Sequence, residues 1–208
     1  MEIIIVGRAE TLVEPELATL HLEVEYVGRD KKKVLAAAQE RANQLVAQLE
    51  SLEGGVLEGF HTDGVRVFTQ RPWGEERRRP AEHRASCTVE ATFRDFGAMS
   101  ELMAEWGETE GLAVGHVRWD LTPKRRKEEL AALTGRALDD AQTRARLVAR
   151  HYQLGMMHAK RVVDPGADGG VEAPMFRAMA ASMDSGPVEV RPDRIRLAQQ
   201  LKVTFEAQ

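Results

Sequence analysis

The sequence predicts an α+β protein: mostly antiparallel sheets packed with two long helices and one shorter helix, in the order ββαββαβαββ. Three observations predict it. Segments near 17–28 and 194–206 alternate apolar and polar residues with a period of two, the pattern of a sheet covered on one face. Apolar residues recur at three- and four-residue steps over about 30–51 and 123–153, the pattern of helices with one buried stripe. Hairpin-like and crossover-like connections mix along the chain, which favours helices laid on mostly antiparallel sheet.

Taken in order, residues 2–14 predict a first strand. Ile3, Ile4, Ile5 and Val6 are β-branched, Gly7 marks a bulge, and Thr11-Leu12-Val13 resumes the pattern before Pro15-Glu16 turns the chain. In the second strand Leu20, Leu22, Val24 and Tyr26 alternate with Thr19, His21, Glu23 and Glu25, and the two strands are expected to form an antiparallel hairpin. Asp30 is the N-cap of a helix reaching about Ser51, with Leu35, Ala38, Ala42, Leu45, Leu49 and Leu52 on its apolar stripe and Gly54-Gly55 ending it. Strands return at about 57–70 and 83–95, the second placing Cys87, Val89, Ala91 and Phe93 on one face. Between them Arg71-Pro72-Trp73-Gly74 and the charged residues to Arg79-Pro80 read as a hairpin loop.

A shorter helix at about 96–106 leads past Gly107 and Gly111 to a strand carrying Val117, Trp119 and Leu121. The longest helix follows, with Pro123 in its first turn, a stripe of Leu130, Leu133, Ala137, Ala141, Ala145 and Val148, and Gly155 closing it. A short strand near 159–163 precedes Asp164 to Arg191, rich in Gly, Pro, Ala and Met, which reads as a functional loop or as disorder. In the last strand Ile195, Leu197, Gln199, Leu201, Val203 and Phe205 share one face.

A chain of 208 residues can build its own core, since single domains run to roughly 100–200 residues. One unit over 1–208 is expected, with room for two subdomains at about 1–82 and 83–208. A net charge of -4 and an aromatic content of 5% argue against nucleic acid, which asks for basic surface or stacking platforms. The single cysteine, Cys87, excludes an intrachain disulfide and reads as a small buried hydrophobe, inert to thiol reagents in the folded protein. No apolar run approaches a membrane span, and Met1-Glu2 leads straight into a strand without the apolar core of a secretory leader, so a cytoplasmic location is expected.

No set of residues in the chain specifies a reaction. There are six histidines, His21, His61, His83, His116, His151 and His158, and none forms the i, i+4 helical pair of a metal site. No serine lies in a Gly-x-Ser-x-Gly setting, and neither a dinucleotide nor a phosphate loop occurs, so no cofactor and no metal is expected. Two stretches instead suit partner binding: Trp73 with Arg77, Arg78 and Arg79, and Met175, Phe176, Met179 and Met183, which repeat at helical spacing.

Particular residues resemble the SIMPL family. The start Ile5-Val6-Gly7-Arg8-Ala9-Glu10 with Val13 and Pro15-Glu16-Leu17-Ala18 resembles the family's opening strands and acidic turn. So do Ala36-Ala37-Ala38, His61-Thr62-Asp63-Gly64-Val65, His83-Arg84-Ala85-Ser86, Phe93-Arg94-Asp95, and the ladder Ala137, Asp140-Ala141, Ala145, Ala149 with Leu154-Gly155. Ala159 stands where the family pattern commonly carries a second glycine. The resemblance implies links to oxidative-stress tolerance, periplasmic export in many bacterial relatives, a signalling-adaptor role in animals, and no established catalytic site. The expected function is therefore a non-enzymatic interaction or assembly module, a homo-oligomer with a further protein partner. The alternative is a hydrolase-like enzyme with a loop-built site using His61, Asp63 or His116.

Overall fold

The computed structural model describes residues 1–70, 80–165 and 192–207. Its elements are β1 (Glu2–Val13), β2 (Leu17–Gly28), α1 (Lys31–Leu52), β3 (Leu57–Thr62), β4 (Arg66–Gln70), β5 (Glu82–Phe93), α2 (Phe96–Gly107), β6 (Leu112–Asp120), α3 (Pro123–His151), β7 (Met157–Val163) and β8 (Ile195–Ala207). The α+β class is as the periodicities predict, with one more strand because the stretch 57–70 divides into β3 and β4. Residues 63–65, which include the turn-forming Asp63-Gly64, separate the two, and both then pair with β5.

The chain forms two compact units assembled from non-consecutive stretches: residues 1–15, 121–165 and 192–207 in the first, 16–120 in the second. The units part where β1 gives way to β2 and where β6 gives way to α3, whereas the expected boundary at 82/83 falls inside the second unit.

In the first unit β1, β8 and β7 form an antiparallel sheet in that order. The expected β1–β2 hairpin does not occur. β1 pairs along its whole length with β8, from Glu2 opposite Glu206 to Val13 opposite Ile195. Pro15 has no N–H to extend a hairpin ladder, and the Glu16 N–H donates to the Asp120 carbonyl at 3.0 Å, which hands the chain to the other sheet. The inward residues of β1 and β8 meet the small-residue stripe of α3, and Ile3, Val203 and Phe205 pack with Ala141, Ala145 and Ala149.

Gly7 is no bulge, because its register with Leu201 is continuous. It is the point of closest approach to α3. A Cβ at residue 7 would lie 2.0 Å from the Ala137 carbonyl oxygen and 2.8 Å from the Ala141 methyl. Nor does Gly155 close α3: the helix ends at His151, Tyr152 is its C-cap, and Gln153 takes the left-handed φ of 52°. A left-handed residue just past a helix end is a common helix stop, here made by a residue other than glycine.

β1 is an edge strand, yet its middle is closed. The Arg8 N–H donates to Asp140 Oδ2 at 3.0 Å, and the Arg144 guanidinium donates to the Val6 carbonyl at 2.7 Å. Two side chains one helical turn apart on α3 thus occupy backbone groups that a neighbouring strand would otherwise seek. Among the described residues β2, β5 and β8 each lie between neighbouring strands, whereas β1 ends its sheet.

In the second unit β3, β5, β2 and β6 lie side by side in that order, with β4 also on β5. α1 packs on β2 and β5, and α2 on β6. Asp30 caps α1 as expected, accepting from the N–H groups of Lys32 and Lys33 at 2.9 and 3.2 Å, and Asp95 caps α2 in the same way. The core is made by Leu20, Leu22 and Val24 of β2, Val89, Ala91 and Phe93 of β5, Leu45 and Leu49 of α1, and Trp106 of α2.

Candidate functional site

The face of the five-stranded sheet that carries the alternate, polar positions holds a set of titratable side chains drawn from four strands. Register places them in one row. His61 of β3 lies opposite Glu90 of β5, Glu90 opposite His21 of β2, and His116 of β6 stacks on His21. Opposed residues of an antiparallel pair share a face, so the row follows from the pairing itself. The ring centroids of His21 and His116 are 4.0 Å apart with planes 18° from parallel. Glu90 Oε1 sits 3.3 Å from His21 Nδ1.

Thr19 is buried beside this row, and its hydroxyl pairs with that of Thr92 at 3.0 Å. His21 Nε2 is buried with no hydrogen-bond partner among the described residues. Burial holds the His21 pKa below that of a free imidazole; the nearby His116 adds to this, Glu90 opposes it, and Arg118 adds a little more.

The chemistry open to this row is limited by its shape. Stacked imidazoles direct their lone pairs in parallel planes and do not converge on one metal ion, and no group of three metal-ligating side chains occurs among the described residues. The residues named for a hydrolytic alternative are not brought together. His61 Nε2 is 3.8 Å from Asp63 Oδ1, while His61 and His116 stand at opposite ends of a four-strand row, on the order of 14 Å at ordinary strand spacing. The place of His21 in this row is not legible in the sequence, because its partners lie on strands far away in the chain; its local signal is a histidine on the polar side of an alternating strand.

Trp73, Arg77, Arg78, Arg79, Met175, Phe176, Met179 and Met183, the candidate partner-binding residues, lie outside the described residues.

Cys87 is buried, and its thiol donates to the Asp63 carbonyl at 2.9 Å with the Thr62 hydroxyl 3.4 Å away. It is expected to stay unlabelled by a thiol reagent in the native protein and to label fully in denaturant. Labelling of the native chain at the rate of the denatured one would show that β5 opens locally.

Taken as a class, this is an α+β protein in which antiparallel sheets each carry helices on one face, with a histidine row on the polar face of the larger sheet. The family model of SIMPL, described as a protein of unknown function (DUF541), matches residues 3–205, and the chain belongs to that family. No curated protein matches the chain. Among the described residues no helix is long and apolar enough to cross a membrane.

Proposed function

We propose that this chain is a non-enzymatic interaction and assembly module whose first partner is a second copy of itself, acting in the stress tolerance that its family resemblance implies. The observation that supports this reading is the outer face of the three-stranded sheet. Opposite the face that meets α3, Ile4 and Leu12 of β1 are 56% and 59% exposed. Covering large aliphatic side chains removes apolar surface from water, which is favourable.

The surroundings suit a copy of the same surface. Glu2 is bridged to Lys160 at 2.7 Å, Arg194 to Glu14 at 2.6 Å, and Arg196 to Glu10. Lys160 also approaches Glu206 at 3.7 Å and so joins two glutamates that face each other across β1 and β8. Beside Lys160 the Glu2 carboxyl is held below its usual range and the Lys160 ammonium above its own. A two-fold interface needs a self-complementary face, and a surface that mixes both signs without a large excess of either supports that reading.

Light scattering coupled to size exclusion, run over a range of concentrations, tests the reading. A concentration-dependent rise to the dimer mass or beyond is expected, and Ile4→Glu with Leu12→Glu should return the chain to the monomer mass. A monomer mass at every concentration would remove the self-association reading.

A further inference from the structure

We propose that the stacked pair His21–His116 is a proton-gated latch: it holds edge strand β6 against β2 while both imidazoles are neutral, and loosens β6 when the pair takes up protons. Among the described residues β6 ends its sheet, with β2 as its one strand neighbour. Its ladder with β2 is broken at one place, where the register shifts between Leu20 and Leu22, and the two rings meet at that break. Gly115 allows the approach, since a Cβ there would lie 2.8 Å from the His21 carbonyl oxygen. The latch therefore sits where the backbone ladder is interrupted.

Neutral imidazoles stack favourably, whereas two imidazolium rings 4.0 Å apart repel in surroundings partly shielded from water. Glu90 beside Nδ1 selects the neutral form that carries its proton there, so the incoming proton must go to Nε2. That nitrogen is buried and, among the described residues, would have nothing to donate to. The charged and titratable groups that share the ring's face are Glu90 on β5, Glu23 on β2 itself, His116 and Arg118 on β6, and His61 on β3 next to Glu90. Burial, His116 and Arg118 oppose a charged ring, Glu90 favours one, and the opposition prevails at His21.

The direction of the pH effect follows. A histidine whose folded pKa lies below its unfolded value contributes stability that is fully present above about pH 6.5 and is lost as the pH falls through the folded value. Mild acid should therefore act on β6 before it acts on the remaining strands.

Hydrogen–deuterium exchange on the whole chain, with protection corrected for the intrinsic exchange rate, tests this at about pH 7.5 and about pH 5.5. Amides of Leu112–Asp120 are expected to lose protection by at least about threefold at the lower pH while β5 and β8 keep theirs, and His116→Gln should abolish the response. Equal protection of β6 at both pH values, an equal loss in every strand, or an unchanged response in His116→Gln would overturn the proposal. Should His116→Gln fail to fold, NMR titration of the native imidazoles replaces it. Mutually dependent titration of His21 and His116 supports the latch, and two independent single-proton curves overturn it.

Discussion

Gly7→Ala is expected to destabilise the first unit by about 3 kcal/mol or more, a large share of the stability of an ordinary domain. The new methyl would fall 2.0 Å from the Ala137 carbonyl oxygen and 2.8 Å from the Ala141 side chain. The nearer obstacle is helix backbone, which has no rotamer to change. Relief requires α3 to move away from β1, and that separates the interface in which Ala141, Ala145 and Ala149 pack with Ile3 and Phe205. Gly135→Ala, in α3 of the same unit, is the internal control. Nothing lies within 4 Å of the position its Cβ would take, so the substitution should stabilise by up to about 1 kcal/mol through helix propensity alone. Urea unfolding followed by circular dichroism should shift the midpoints in opposite directions for the two variants. A neutral Gly7→Ala would mean that α3 does not lie this close to β1.

Trp106→Ala is the second large effect, with an expected cost of about 3–5 kcal/mol. Trp106 is 1% exposed, its ring centroid is 6.4 Å from that of Phe93, and its indole N–H donates to Gln48 Oε1 at 3.2 Å. Truncation leaves a cavity between α2 and the sheet and strips Gln48 of its donor on α1. Trp106→Phe retains most of the packing and loses the hydrogen bond, so it should fall well short of the alanine variant. Thermal and urea unfolding of both variants measure the difference, and equal losses would assign the effect to the hydrogen bond instead of to the cavity.

The clearest elements are those whose cause is local. The alternation in β8 marks the buried face, down to Gln199, a buried polar residue whose amide reaches Asp164 at 3.3 Å. Asp30, Pro123 and the alanine ladder place two helices to within a residue or two, because capping and stripe packing act over single turns. Where the reading erred, a distant contact overrode a local signal. Pro15-Glu16 resembles a hairpin turn, yet β1 finds its partner at the other end of the chain. Gly7 resembles a bulge, yet it is small because a helix more than a hundred residues onward in the chain lies against it. The His21–His116 stack was hidden for the same reason, since it needs β6 beside β2 and a register shift at that very point.

The amino-acid order alone thus determines the α+β class, the starts of the two long helices and the buried side of the alternating strands, since these depend on period, capping and side-chain volume within a short window. Tertiary structure alone decides which strands pair, that α3 guards the edge of β1 through Asp140 and Arg144, and that one carboxylate and three imidazoles stand in a single row. Pairing across a sheet is selected by the summed fit of whole faces brought together from remote parts of the chain. No local pattern carries that sum.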